Sequence, residues 1–262
     1  MKLTSFVTAV MFLIFASTSA GLTAPYAAIV VDAKTNNVLQ EHNSDLRLHP
    51  AGLTKLITLY VTFEAINQGD IRLTDKITIS EKAASEPQVK LGLTAGSQIE
   101  VKYLLRAAAV LGANDAATAL AESIFGSEGE LVRQLKTKSL ELGLTSSTWN
   151  NAHGLTEKGH FSTAKDISRL VIAHKRDFPE YFNVFSRITT DAGIATVRSS
   201  SRRILSSIQG VEASRFGHTR AAGYNAAVYV TRGNRSLVVV VFGATSTRAL
   251  LDKLNELIQA NI

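Results

Sequence analysis

The sequence predicts an α/β protein of the α+β type, with strands from both ends of the chain in one antiparallel sheet and a helical lobe inserted between them. Three observations carry this expectation. Ala27-Ala28-Ile29-Val30-Val31-Asp32 is a buried-strand pattern, followed by a polar turn at residues 34–37 and a return strand at 38–41. Residues 225–231 and 236–243 are apolar, β-branched runs joined at Gly233-Asn234, a hairpin signal. Between the two hairpins the apolar spacing is helical: Leu56, Leu59, Phe63 and Ile66 recur at three- and four-residue steps.

The elements follow in order. Pro50 suits a helix entrance, so a helix is expected over 54–67, closed by Gly69. Lys76-Ile77-Thr78-Ile79-Ser80 alternates as a short strand, and 104–111, with its run of alanines, reads as a buried helix. Asn114-Asp115 can cap a helix over 116–125 that stops at Gly126. Ser127 and Glu130 form a capping-box pattern for a helix to about Leu142, and Ser162 or Thr163 starts another through His174. From Arg187 the pattern turns strand-like, and 247–262 is an amphipathic closing helix. With no repeat or linker in sight, a single domain over 21–262 is expected, its helical lobe roughly 80–185.

Composition narrows the class. The chain has 262 residues, 45% hydrophobic and 19% charged, enough for a sizeable core. Met1-Lys2, the apolar run from Phe6 to Ala16 and the small residues 17–20 have the layout of a secretory signal peptide, with cleavage expected after Ala20. That predicts a periplasmic or secreted protein with no transmembrane anchor in the mature chain. There is no cysteine, so stability must come from packing. The basic residues are scattered without interleaved aromatics, against nucleic acid as a partner. His42, His49, His153, His160, His174 and His218 show no metal-ligand spacing and no phosphate loop follows a strand, so no metal or other cofactor is expected.

One residue stands out locally. Lys55 sits in the first turn of the 54–67 helix, where the dipole disfavours a cation, and so asks for a functional reason. A serine three residues before it would share its helix face and could lose a proton to it. Here that position is Gly52.

Pro50-Ala51-Gly52-Leu53-Thr54-Lys55 resembles the Pro-Ala-Ser-Leu-Thr-Lys of serine D-alanyl-D-alanine carboxypeptidases, the low-molecular-mass penicillin-binding proteins. The likeness extends in order through residues 24–33, Lys90-Leu91-Gly92-Leu93, Asn114-Asp115-Ala116-Ala117, Asn151-Ala152-His153-Gly154-Leu155, residues 159–166, Arg176-Asp177-Phe178-Pro179-Glu180-Tyr181 and Gly217-His218-Thr219. It implies a β-lactamase-like fold, peptidoglycan stem peptides or a cell-wall protein as partner, and no extra C-terminal domain. The catalytic motifs depart from the pattern. Ser-x-x-Lys stands as Gly52-Leu53-Thr54-Lys55, Ser-x-Asn as Gly112-Ala113-Asn114, and Lys-Thr-Gly as Arg215-Phe216-Gly217.

Three cleft hydroxyls are therefore missing together, while Lys55 and Asn114 remain as catalytic-type residues. Acyl transfer of this kind needs a nucleophile with somewhere to send its proton, and Gly52 offers none. The resemblance assigns oxyanion donors to the main-chain N–H groups of Gly52 and His218, and substrate contacts to Arg215, Phe216, Gly217, His218 and Thr219. Arg215 is expected to face a substrate carboxylate, and the Phe216 ring to crowd that position. The expectation is a catalytically impaired pseudoenzyme; the alternative is an active D-Ala-D-Ala carboxypeptidase working by an unorthodox route.

Overall fold

The computed structural model describes residues 25–262, so the signal-peptide expectation lies outside the described residues. The first hairpin joins β1 (Ala27–Asp32) to β2 (Val38–His42) in antiparallel register. Asp32 Oδ1 shapes the turn by accepting the Lys34 and Thr35 N–H groups at 3.0 and 2.9 Å. A 3-10 turn at Ala51–Leu53 then leads into α1 (Thr54–Gln68), which ends on Gly69 in the left-handed conformation. Although α1 was expected to show one apolar stripe, eleven of its residues are buried, Thr54, Lys55 and Thr58 among them. A helix covered on nearly every side runs through the centre of a domain rather than along its surface.

The next elements build the lobe. β3 (Lys76–Thr78) pairs with β4 (Gln98–Glu100) around the short helix α2 (Glu81–Ser85), and α3 (Val101–Arg106) follows. The expected helix over 104–111 is interrupted: α3 widens into a π turn at Ala107–Leu111, stopped by Gly112 at φ +88°. α4 (Asn114–Phe125) starts from Ala113, with no side-chain cap. Asp115 caps differently from expectation, accepting the N–H groups of Leu91, Gly92 and Leu93 at 2.8–3.1 Å and so tying an extended segment to the lobe. α5 (Glu128–Glu141) and α6 (Ala164–Asp177) are capped by Ser127 and Thr163, which accept the Glu130 and Asp166 N–H groups at 3.1 and 3.0 Å.

α7 (Pro179–Phe182) and the small hairpin of β5 (Thr189–Asp191) and β6 (Thr196–Arg198) complete the insertion, together with α8 (Arg202–Ser207), a helix inside the region expected to be strand-like. The chain closes with β7 (Val211–Thr219), β8 (Gly223–Arg232), β9 (Arg235–Ala244) and α9 (Thr247–Asn261). The main sheet has the order β2-β1-β9-β8-β7, antiparallel throughout, so the first and last hairpins do share one sheet. Everything between β2 and β7, residues 43–210, is inserted between them.

Alternation along the strands sorts the sheet's two faces. Ile29, Val31, Ala227, Tyr229, Val238, Val240 and Phe242 face the main core with α1, α4 and α6. Ala28, Val30, Val228, Val239 and Val241 face α9, whose Leu250, Leu254, Leu257 and Ile258 are all buried there. β7 is an edge strand, and it lies against the Ala51–Leu53 turn. That contact positions the cleft.

Candidate active-site cleft

The cleft opens between β7 and the lobe, with a volume of about 260 Å³; Gly52, Lys55, Gly112, Asn114, Arg215 and His218 are among its lining residues. Most residues singled out from the sequence are thus brought together. α1 carries Lys55 into the interior, where it is 2% exposed. Its Nζ donates to Asn114 Oδ1 at 2.6 Å and to the His153 carbonyl at 2.7 Å. Asn114 Nδ2 in turn donates to the Pro87 carbonyl at 2.9 Å, which holds the amide oxygen toward the lysine. Burial pushes the Lys55 pKa well below the ordinary lysine value and the Arg215 charge adds to this, while Asp115 and Glu86 pull the other way.

Arg215 is equally buried, and burial lowers its guanidinium to about 10. Nε donates to the Gly52 carbonyl and Nη1 to the Ala109 carbonyl, both at 2.9 Å. The arginine therefore bridges β7, the turn before α1 and the wide turn of the lobe. A Cβ placed on Gly112 would meet its Nη2 at 2.8 Å, and one on Gly52 would meet the same atom at 3.5 Å. The guanidinium stands in the space that a side chain at Gly112 would need and is in ordinary contact distance of one at Gly52. The Gly52 Cβ would also meet the Phe216 carbonyl oxygen at 2.7 Å, and a Cβ on Gly217 would meet the Gly52 nitrogen at 2.3 Å, so both glycines are required by main-chain approach.

Arg215 was expected to face a substrate carboxylate; two of its donors are spent on carbonyls, and only Nη2 makes no hydrogen bond among the described residues. Phe216 borders the cleft. It alternates with Arg215 along β7 and joins the apolar cluster under α9, 6.2 Å from the Tyr224 ring. Strand alternation applied to Arg215 would have signalled this. His218 is exposed with its ring 4.2 Å from that of Tyr224, and Thr219 Oγ1 lies 2.8 Å from Thr156 Oγ1 at the cleft mouth. The carbonyls of Ala109 and His153 were not anticipated; main-chain acceptors leave no mark in a sequence.

Thr54, the hydroxyl closest in sequence to position 52, is not placed to replace a serine there. Thr54 Oγ1 is buried and lies 2.8 Å from His160 Nε2. The Asn150 N–H donates to His160 Nδ1, so the ring proton sits on Nε2 and points at the threonine oxygen. One group among the described residues could hold a metal: Glu86, Glu128 and His153, whose ligand atoms lie within 4.8 Å of one another. The Leu155 N–H donates to His153 Nδ1, which again puts the proton on Nε2, facing Glu86 Oε2 at 3.3 Å and Glu128 Oε1 at 3.6 Å. A metal would need that same nitrogen deprotonated. The donor set fits a hydrogen-bonded charge cluster, with Lys82 on Glu128 at 2.6 Å and the Thr118 hydroxyl on Glu86 at 3.0 Å.

Comparison with known proteins follows the same residues. The family model for D-alanyl-D-alanine carboxypeptidase matches residues 16–246. The chain belongs to the D-alanyl-D-alanine carboxypeptidase family. Within that family it is 34% identical over 227 residues to carboxypeptidase DacF of Bacillus subtilis, covering 85% of this chain and 58% of the relative. It is 32% identical over 238 residues to DacC of Escherichia coli, covering 88% and 60% respectively. The chain therefore spans about three-fifths of the length of these carboxypeptidases. Penicillin-binding protein 5 of Haemophilus influenzae superposes with a TM-score of 0.85 at 29% identity, over 89% of this chain and 69% of that one. Penicillin-binding protein D2 of Listeria monocytogenes, in an ampicillin-bound form, gives 0.82 at 25% identity over 90% and 96%. The penicillin-binding-protein fold and the carboxypeptidase lineage are thus established, with glycine at the position where the motif has its serine.

Proposed function

We propose that this carboxypeptidase-family chain is an exported binding protein that holds peptidoglycan stem peptides, ending in a free carboxylate, without cleaving them. The observation that carries the reading is the Arg215 guanidinium, which fills side-chain space at Gly112 and approaches that at Gly52. A cleft built around that arginine has no hydroxyl at 52 to form an acyl intermediate. What supports binding is the remaining donor set: Nη2 of Arg215 and the polar rim of Thr219 and His218. An active carboxypeptidase working by another route has one observation in its favour, the intact Lys55–Asn114 pair with its depressed lysine pKa. It has no nucleophile at position 52, and Thr54 is held by His160 inside the protein.

The test is exposure to a labelled β-lactam with intact-mass detection. No covalent adduct is expected, and stoichiometric labelling would overturn the non-cleaving reading. Calorimetry with a peptide ending in D-Ala-D-Ala tests binding. A charge-assisted contact is worth about 1.5–3 kcal/mol, so Arg215→Ala, checked for folding by circular dichroism, should weaken affinity by roughly ten- to a hundredfold. Equal affinities would remove the arginine from the binding site.

A further inference from the structure

Two buried basic side chains share this cleft, and among the described residues neither is paired with a carboxylate. The acidic groups nearest Lys55 are committed elsewhere. Asp115 receives the N–H groups of Leu91, Gly92, Leu93 and Ala116, and Glu86 receives the Thr118 hydroxyl and faces the His153 ring. Such a site gains from an added negative charge more than from any neutral group.

The geometry at Lys55 says where that charge can be built. A neutral amine has two hydrogens and one lone pair. The two acceptors on Nζ, Asn114 Oδ1 at 2.6 Å and the His153 carbonyl at 2.7 Å, take both hydrogens. The lone pair is left in the remaining tetrahedral position, and Gly52, three residues back on the same helix face, supplies no side chain to bond it. Burial and the Arg215 charge both favour the neutral, nucleophilic form of the amine.

We propose that Lys55 takes up carbon dioxide as an N-carboxylate (a carbamate), with the Arg215 guanidinium as its counter-ion. The step balances without another reagent. The Nζ lone pair forms the N–C bond, one C–O π pair moves onto oxygen, and one nitrogen proton leaves to a solvent base such as bicarbonate. The product keeps a single N–H, enough for one of the two carbonyl acceptors. Carbon dioxide is singled out by charge. A simple aldehyde would give an imine and a simple acyl donor a neutral amide, whereas carbon dioxide, the smallest such reagent, turns the amine into an anion beside a fixed cation. Its three heavy atoms are few for a cleft of about 260 Å³, and Arg215 Nη2 is the donor left over to meet them. The inference does not depend on peptide binding, although a ligand carboxylate would compete for the same donor.

The experiment is ¹³C NMR of the full chain in ¹³C-labelled bicarbonate at mildly alkaline pH. A carbamate resonance that saturates with bicarbonate is expected, and it should be absent from Lys55→Met. Arg215→Gln should weaken carbon dioxide uptake by about tenfold, the effect of losing one charge-assisted contact. Because Lys55→Met removes a buried group and could unfold the chain, a second measurement uses the unaltered protein. The carbamate is trapped as an ester with a trialkyloxonium salt and located by peptide mass mapping, with Lys55 as the expected site. No resonance at saturating bicarbonate, or trapping only at other amines, would overturn the proposal. Undiminished uptake by Arg215→Gln would overturn the counter-ion role.

Discussion

The two glycines beside Arg215 should respond differently to a serine, and the difference can be worked out from the structure. At Gly112 the obstacle is the tip of a side chain: the new Cβ would lie 2.8 Å from Arg215 Nη2. That tip can move only by giving up its bond to the Ala109 carbonyl, a loss of about 1.5–3 kcal/mol for a charged donor. The backbone also sits at φ +88°, and left-handed geometry costs a side chain a further 1–2 kcal/mol or so. At Gly52 the obstacle is main chain, with the Phe216 carbonyl at 2.7 Å and Gly217 Cα at 3.0 Å. Overpacking of that kind costs about 1–3 kcal/mol. Arg215→Lys should therefore relieve Gly112→Ser but not Gly52→Ser. In urea unfolding at constant pH, the Gly112→Ser, Arg215→Lys pair should be more stable than the sum of its single changes by about 1–3 kcal/mol, and the Gly52→Ser pair additive to within about 0.5 kcal/mol. Additivity in the first cycle would show that the guanidinium is not what closes the space at 112.

Catalytic rescue follows the same contacts: Gly52→Ser, Gly112→Ser and Phe216→Thr together should leave β-lactam acylation low, and adding Arg215→Lys should raise it, measured by adduct formation over time. Equal rates in the triple and quadruple variants would refute the obstruction. Stability should fall as pH drops below about 6.5, because the unfolded histidines take up protons there while buried His174 and His160 do so only near 4 and 3. Their contribution is thus complete above the unfolded value and is lost through the acid range, at up to about 1.4 kcal/mol per pH unit for each histidine. The acids with lowered values, such as Asp177 and Glu86, add their loss only further down. A urea midpoint unchanged between pH 7 and pH 5 would contradict this. Asp115→Ala should cost at least about 1–3 kcal/mol in thermal unfolding, since it removes the acceptor of the Leu91, Gly92 and Leu93 N–H groups and leaves that of buried Leu93 unpaired. Asp115→Asn, which keeps one acceptor oxygen, should cost less.

Much of the fold is legible in the sequence where the signal is local. Both hairpins, the glycine stops at 69 and 126 and the caps at Ser127 and Thr163 are set by turn and cap chemistry within a few residues. The misreadings share a different cause. α1 shows apolar positions at helical steps, yet its threonines and Lys55 are also buried, because the lobe and sheet enclose it from both sides. The wide turn at Ala107–Leu111 ends on Gly112 so that the Ala109 carbonyl can meet Arg215. Asn114 and Asp115 have the composition of a cap but serve as partners to Lys55 and to a distant loop. In each case a tertiary contact overrides a local preference.

The cleft carries the same lesson further. In the sequence, Gly52, Gly112 and Arg215 are three separate departures from three motifs, each of which alone reads as loss. In space they are neighbours: the guanidinium occupies the side-chain space at Gly112 and donates to the Gly52 carbonyl. Its hydrogen bonds to Gly52 and Ala109 then stabilise the closed geometry, so a single reversion meets resistance rather than recovery. Random decay would leave unfilled space or unpaired groups where the side chains had been. Here the side-chain space at Gly112 is filled and two of the arginine's donors are satisfied, so Arg215 and the two glycines fit one another as packed. The lysine beside them, its pKa lowered by burial, lies in a cleft with glycine rather than serine at position 52.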